Sequence, residues 1–302
     1  MKKRILALGL TVALAAASLA ACGGASTKTT EKATEAAAEQ GSEKATEAAK
    51  EEKADAGELR TYKLGVNGSD HEEWEKANEL LAKDNIKLEM VEFSDYVKPN
   101  EALEDGEIDL NAFQTEIYFN NFVKERGYTD LGILAYTQVA PMGIYSSKYK
   151  SLDEATGHLI IAIPNDVTNG GRALKFLEKN GFLTLKKEAG LTPTVMDIEK
   201  YNKDVEIVEM VATQIPASLP DLSFACINNG VAKDAGLTLK NDAIVYEDYK
   251  EPDMKNYWNI IAAKKDRIES EDFQKIKKAY NSDEVKQVVL EHYDGQSIPV
   301  WD

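Results

Sequence analysis

From Leu59 onward the chain alternates short apolar runs with amphipathic segments, and this alternation restricts the fold more than any other feature of the sequence. Residues 62–66 read as a strand, residues 72–85 as a helix with Trp74, Ala77 and Leu81 on one face, and residues 86–93 as a second strand. Lys98-Pro99-Asn100-Glu101 opens the next helix with proline in its first turn, and Asp105-Gly106 closes it. The pattern continues through strand 108–113, helix 116–126 and strand 131–136. Strands separated by helices argue for parallel pairing and the α/β class.

A second set begins past Met142: strand 159–163, helix 171–180 stopped by Gly181, then strands 205–211, 223–227 and 243–246. Roughly 240 residues is more than one compact α/β lobe usually holds. Two lobes are expected, residues 59–140 with 256–302 in one and 141–255 in the other. The helices over 271–280 and 284–293 then pack back on the first lobe. Open α/β sheets bind ligands beyond the carboxyl ends of their strands, so two facing lobes form a cleft that closes by hinge motion.

The N-terminus carries Lys2, Lys3 and Arg4, then an uncharged stretch over 5–19 and Leu19-Ala20-Ala21-Cys22. This layout predicts a lipoprotein signal peptide over residues 1–21 and a lipid on Cys22. Stable anchoring needs about two hydrophobic signals, and a diacylated, N-acylated cysteine supplies them. The expected location is the extracytoplasmic face of the cell membrane. Residues 22–58 form the expected spacer, with no aromatic residue and with EKATEAA at 31–37 repeated at 43–49. The remaining cysteine, Cys226, lies in the apolar run Phe224-Ala225-Cys226-Ile227 and reads as an inert core side chain. A lipidated Cys22 leaves it no disulfide partner.

The chain has 52 acidic and 36 basic residues, and removing the three signal-peptide cations takes the formal charge from −16 to −19. Nucleic acid is a poor partner for such a surface. There is no GxSxG, HExxH, CxxC, Walker loop or GxGxxG after a strand. His71, His158 and His292 are scattered, none in metal-ligand spacing. No enzyme activity, cofactor or metal is expected. One segment draws attention, Pro164-Asn165-Asp166-Val167-Thr168-Asn169-Gly170-Gly171-Arg172, read as a turn between a strand and a helix. A helix N-terminus and an arginine in its first turn would clamp a carboxylate. A surface arginine after an ordinary capped helix fits the spacing equally well.

Several ordered segments resemble the methionine-binding lipoproteins of the NlpA/MetQ type: VEFSDYVKPNEALEDGEIDLNAFQ (91–114), APMGIYSSKYKSLDE (140–154), IAIPNDVTNGGRAL (161–174), Ala225-Cys226-Ile227-Asn228, and the closing SIPVW (297–301). The resemblance implies a two-lobed periplasmic-binding-protein-like fold of type II, with the ligand in the interlobe cleft. It also implies a monomer that binds methionine, L- and also D-, and delivers it to an ABC permease and its ATPase subunit. By the same resemblance Arg172 grips the ligand carboxylate, Asn228 and Asn259 contact its polar end, and Tyr96, Phe113 and Tyr118 form an aromatic wall around the thioether. The sequence departs from the family where Thr115 replaces a pocket histidine and Ile117 a proline. Val167 stands where proline is usual, Gly170 where glutamate is usual, and Asn229-Gly230 reverses the usual order. Another apolar amino acid or a short methionine-containing peptide therefore stays open as ligand, and a surface adhesin or scaffold lipoprotein as the alternative of another class.

Overall fold

The computed structural model describes residues 57–301. The expected signal peptide, Cys22 and the spacer as far as residue 56 lie outside the described residues. Among the described residues no helix is long and apolar enough to cross a membrane.

Two sheets organise the body. The first runs in the order Ile86–Phe93, Arg60–Asn67, Leu110–Asn111, Trp258–Lys264, Leu131–Val139, Ile298–Pro299. The second runs Val205–Met210, Leu159–Pro164, Phe224–Ile227, Gly143–Tyr145, Ala243–Tyr246. The leading three strands of each are parallel, and the fourth is antiparallel to both of its neighbours. In both sheets that fourth strand is the one the chain enters directly after passing from the other sheet. The molecule therefore has the expected two-lobed α/β architecture, written twice to one scheme.

The two inserted strands have no counterpart among the expected elements. Gly143–Tyr145 is buried throughout and Trp258–Lys264 is buried over its centre, so neither alternates in the way that marks a half-exposed strand. The strand expected over 108–113 is shorter, Leu110–Asn111, although single bonds from Asp109 N to Lys63 O (2.9 Å) and Ala112 N to Gly65 O (2.9 Å) extend the pairing.

Helix termini follow their local chemistry. Lys98–Asp105 ends on Gly106 at φ 75° and Glu116–Arg126 on Gly127 at φ 69°, a left-handed region that glycine enters without steric cost. The first helix spans Glu72–Leu81 and tightens into a 3₁₀ turn, Ala82–Asp84, before Asn85 reverses the chain. The fourth long helix corrects the sequence reading. It spans Val167–Lys179 and begins four residues earlier than expected, because the Asp166 carboxylate caps it by accepting from Asn169 N at 2.8 Å. The Gly170-Gly171 pair is helical, and its lack of side chains serves packing. A Cβ on Gly170 would stand 2.6 Å from Pro164 O, and one on Gly171 would stand 2.8 Å from Thr192 Cα.

Each sheet has its own core. Leu64, Val66, Ile86 and Leu88 pack against Trp74 and Leu81, and against Phe273, Ile276, Tyr280, Val285 and Val289 of the C-terminal helices Glu271–Tyr280 and Asp283–His292. Ile161, Ile163, Leu174, Leu177, Phe182 and Phe224 form the second core, in which Cys226 is buried. Burial of each such large side chain contributes about 1.5–3 kcal/mol. It also pushes the Cys226 thiol far above its ordinary range, in keeping with an inert core residue.

Candidate functional site

The parallel strands of both sheets end at a common cavity of about 620 Å³. Tyr96, Phe113, Thr115, Tyr118, Arg172, Asn228 and Asn259, the seven residues selected from the sequence, all line it. They come from positions as far apart as 96 and 259, so the fold and not local spacing assembles them.

The aromatic wall belongs to the first lobe. Ring centroids lie 5.9 Å apart for Tyr96 and Phe113, 6.1 Å for Tyr96 and Tyr118, and 6.2 Å for Phe113 and Tyr118, a triangle of tilted and edge-on contacts. Tyr118 Oη donates to Tyr96 O at 2.9 Å and fixes one corner. Behind Phe113 a buried amide network ties the strand end to the helix opened by Lys98. Asn100 and Gln114 exchange bonds of 2.8 and 2.7 Å, and Gln114 Nε2 also donates to Asn111 Oδ1 at 2.8 Å. Enclosure, with the Asp166 carboxylate as the next largest influence, pushes the phenols of Tyr96 and Tyr118 well above their ordinary value. Both rings therefore stay neutral and suit an apolar guest.

Thr115 has a second task that sequence reading missed. It caps the helix Glu116–Arg126, its Oγ1 accepting from Tyr118 N at 3.3 Å, and its backbone pairs with Asn259 in an isolated antiparallel bridge. It thus orients two other lining residues. Ile117 does not line the cavity and packs instead with Val139, Met254 and Tyr257.

The polar wall belongs mainly to the second lobe. Arg172 is only 3% exposed and lies in the second turn of its helix. Its Nε donates to Glu247 Oε1 at 3.0 Å, and its Nη2 to Glu247 Oε2 and to Ala140 O, the latter at 2.9 Å. Its guanidinium carbon sits 4.3 Å from the centroid of the Tyr257 ring. Burial pushes the Tyr257 phenol up to about 12 even though the adjacent Arg172 draws it down. Among the described residues Arg172 Nη1 has no hydrogen-bond partner, which leaves one edge of the guanidinium for a guest. The clamp expected from a free helix N-terminus is corrected, because Asp166 already occupies the first turn. Glu247, the partner of Arg172, was not found from sequence. It lies 75 positions away and also accepts from Met142 N at 2.7 Å, so it joins both segments that pass between the sheets.

A contact between the lobes closes another edge of the cavity. Lys233 Nζ lies 2.7 Å from Asp70 Oδ2 and 3.8 Å from the centroid of the Tyr293 ring. His292 Nε2 lies 2.8 Å from Asp70, and its Nδ1 3.0 Å from Glu72. Burial alone would raise the Asp70 carboxyl, but hydrogen bonds from Lys233 and His292 outweigh it and hold the group below its ordinary value. Tyr293 Oη donates to the buried Glu73 carboxylate at 2.7 Å, and burial pushes Glu73 up.

Comparison with known proteins places this geometry. The NlpA lipoprotein family model matches residues 62–301. The D-methionine-binding lipoprotein MetQ of Escherichia coli K12 is 40% identical over 243 residues, covering 79% of this chain and 88% of that one. The solved substrate-binding protein of a methionine transporter from Streptococcus pneumoniae is 38% identical with a TM-score of 0.75, covering 80% of this chain and 96% of that one. A nutrient-binding protein from Burkholderia cenocepacia, solved bound to methionine, is 35% identical with a TM-score of 0.75, covering 80% of this chain and all of the other. The match spans nearly the whole described body and both lobes that build the cavity, and the chain belongs to the NlpA lipoprotein family.

Proposed function

We propose that this chain is the membrane-anchored substrate-binding component of an ABC importer, that it binds methionine between its lobes, and that it delivers the amino acid to a permease driven by an ATPase subunit. One observation carries the reading: a single cavity has three aromatic rings on one wall and a buried guanidinium with a free edge on the other. Methionine has matching halves. Its thioether gains from contact with aromatic rings, and its carboxylate, once enclosed, needs a cation. The names of the relatives agree with this assignment.

In this reading Arg172 Nη1 takes the carboxylate, and Asn228 and Asn259 take the polar end. Tyr96, Phe113 and Tyr118 enclose the side chain, with Thr115 beside them. The lobes meet near residues 140 and 256 and move as hinged bodies around a monomeric site. The lipid on Cys22 holds the protein at the extracytoplasmic membrane face and raises its effective concentration at the transporter. No step of this cycle requires chemistry on the ligand, and the protein acts as a carrier and not as an enzyme.

Titration calorimetry with purified protein tests the assignment. Methionine binds the wild type, and Arg172→Ala loses roughly 2–5 kcal/mol of binding free energy by leaving the carboxylate unpaired. Unchanged affinity in the variant would remove Arg172 from the site. Native mass spectrometry of protein purified without added ligand identifies any retained amino acid directly. An empty cavity, with no thermal shift across the amino acids, would favour the scaffold alternative.

A further inference from the structure

The capping carboxylate at Asp166 is connected to the ligand cavity by a chain of side-chain amides, and the direction of that chain is fixed at its start. A carboxylate only accepts hydrogen bonds. Asn169 Nδ2 lies 3.0 Å from each oxygen of Asp166, so the amide end of Asn169 must face the acid and its carbonyl must face away. Asn169 Oδ1 in turn accepts from Asn228 Nδ2 at 2.8 Å. This uses the donor end of Asn228 inside the wall and turns its carbonyl outward. Asn228 lines the cavity, and its Oδ1 is enclosed with no partner among the described residues.

Two further oxygens repeat the pattern. Asn67 and Gln138 also line the cavity, their Oδ1 and Oε1 enclosed and unpartnered among the described residues, and Asn67 Nδ2 is held by Phe93 O and Asp95 O, both at 3.0 Å. Beside the free Nη1 edge of Arg172, the fully enclosed unpartnered side-chain atoms on residues lining the cavity are acceptors, among the described residues. A guest that satisfies these three oxygens must bring donors to them, as well as an acceptor for Arg172. The charge balance agrees, because Glu247 already offsets Arg172, and a guest bearing only a carboxylate would leave excess negative charge in a closed space.

We infer that Asp166, acting through Asn169, is a positioning residue that sets Asn228 as the acceptor for the ligand's α-ammonium group, and that this relay makes the site select an amino acid over the same molecule without its amino group. The inference rests on the functional reading above. It makes Asp166 more than a helix cap, and the two roles separate by substitution. Asparagine and serine cap helices about as well as aspartate, but neither forces the polarity of Asn169. In Asp166→Asn the chain can run backward, with an amide donor at its head, Asn169 and Asn228 both reversed, and an N–H of Asn228 facing the cavity.

The test is a pair of calorimetric titrations, methionine against 4-methylthiobutanoate, on full-length wild-type protein and on Asp166→Asn. The wild type prefers methionine, and in the variant the ratio of the two affinities closes by roughly tenfold or more, the size expected for one buried hydrogen-bond group left unsatisfied. Equal loss for both ligands would reduce Asp166 to a cap and overturn the relay, as would an unchanged ratio. Should Asp166→Asn fail to fold, Asp166→Ser keeps the cap and carries the same comparison. Wild-type protein that binds neither compound overturns the methionine reading itself and the relay with it. Wild-type protein that binds methionine but shows an unchanged ratio in the variant overturns the relay alone.

Discussion

The two lobes share one strand order yet present opposite chemistry at matching strand ends. Past the third parallel strand the first lobe offers Phe113 and the second Asn228; past the central strand the first offers Asn67 and the second the segment from Asp166 to Arg172. The first lobe adds Tyr96 and Tyr118 to its wall, while the second pairs its arginine with Glu247. Topology therefore fixes where side chains converge, and the residues at the strand ends decide what each wall recognises. In the proposed reading, a ligand with an apolar half and a zwitterionic half is divided between the lobes, each wall taking the half it matches.

The largest expected effect comes from breaking the polar wall behind the ligand. Glu247→Ala leaves the guanidinium of Arg172 buried without its counter-charge, and removing one partner of a buried pair costs about 3–5 kcal/mol. Urea unfolding should show this loss as a lower midpoint with an unchanged slope. The double replacement Arg172→Met with Glu247→Leu should recover most of the stability, since an apolar pair can fill such a space without penalty, while methionine binding stays absent. Recovery of binding in the double variant would mean that the polar wall is not built on Arg172.

A smaller change probes the aromatic wall. Thr115→His removes the side-chain cap on the helix Glu116–Arg126, at a cost of about 1 kcal/mol, and places an imidazole beside the aromatic triangle. Thermal unfolding should register the lost cap, and calorimetry should show a changed ranking of methionine against its side-chain analogues. A lower melting temperature with an unchanged ranking would confine Thr115 to its structural role.

How much of this was legible in the sequence depended on the distance over which each feature is determined. Helix Glu116–Arg126 and strand Ile86–Phe93 could be read to the residue, because a cap or turn bounds each one and its apolar pattern is local. The segment resemblances supplied six of the seven cavity residues and decided Arg172, which its position after the turn had left open between a carboxylate clamp and a surface arginine. Glu247 escaped because nothing within its own stretch of chain marks it as the partner of a residue 75 positions earlier. The start of helix Val167–Lys179 was misplaced because Gly170-Gly171 looks like a turn, whereas the glycines answer to close contacts with Pro164 and Thr192. Gly143–Tyr145 and Trp258–Lys264 were missed because strands with buried centres lose the alternation that betrays a strand.

The smallest effect lies where the lobes touch through water-facing charges. Lys233 reaches from the second lobe to Asp70 of the first, both side chains about a third exposed, so the pair resembles a surface ion pair and not the enclosed Arg172–Glu247 contact. Lys233→Ala should cost about 1 kcal/mol or less at neutral pH, and the difference from wild type should vanish near 1 M salt, where the screening length falls to about 3 Å. The acid side is fixed in sign. Asp70 is held below its ordinary value in the folded protein, so its contribution is fully present above the unfolded carboxylate range near 4 and is lost as pH falls through the depressed folded value. Urea midpoints of wild type and Lys233→Ala should therefore differ at pH 7 and converge below about pH 4. A difference that persisted in acid or in high salt would show the seam between the lobes to be as dry as the polar wall inside the second lobe, and the two ion pairs would then be one kind of bond.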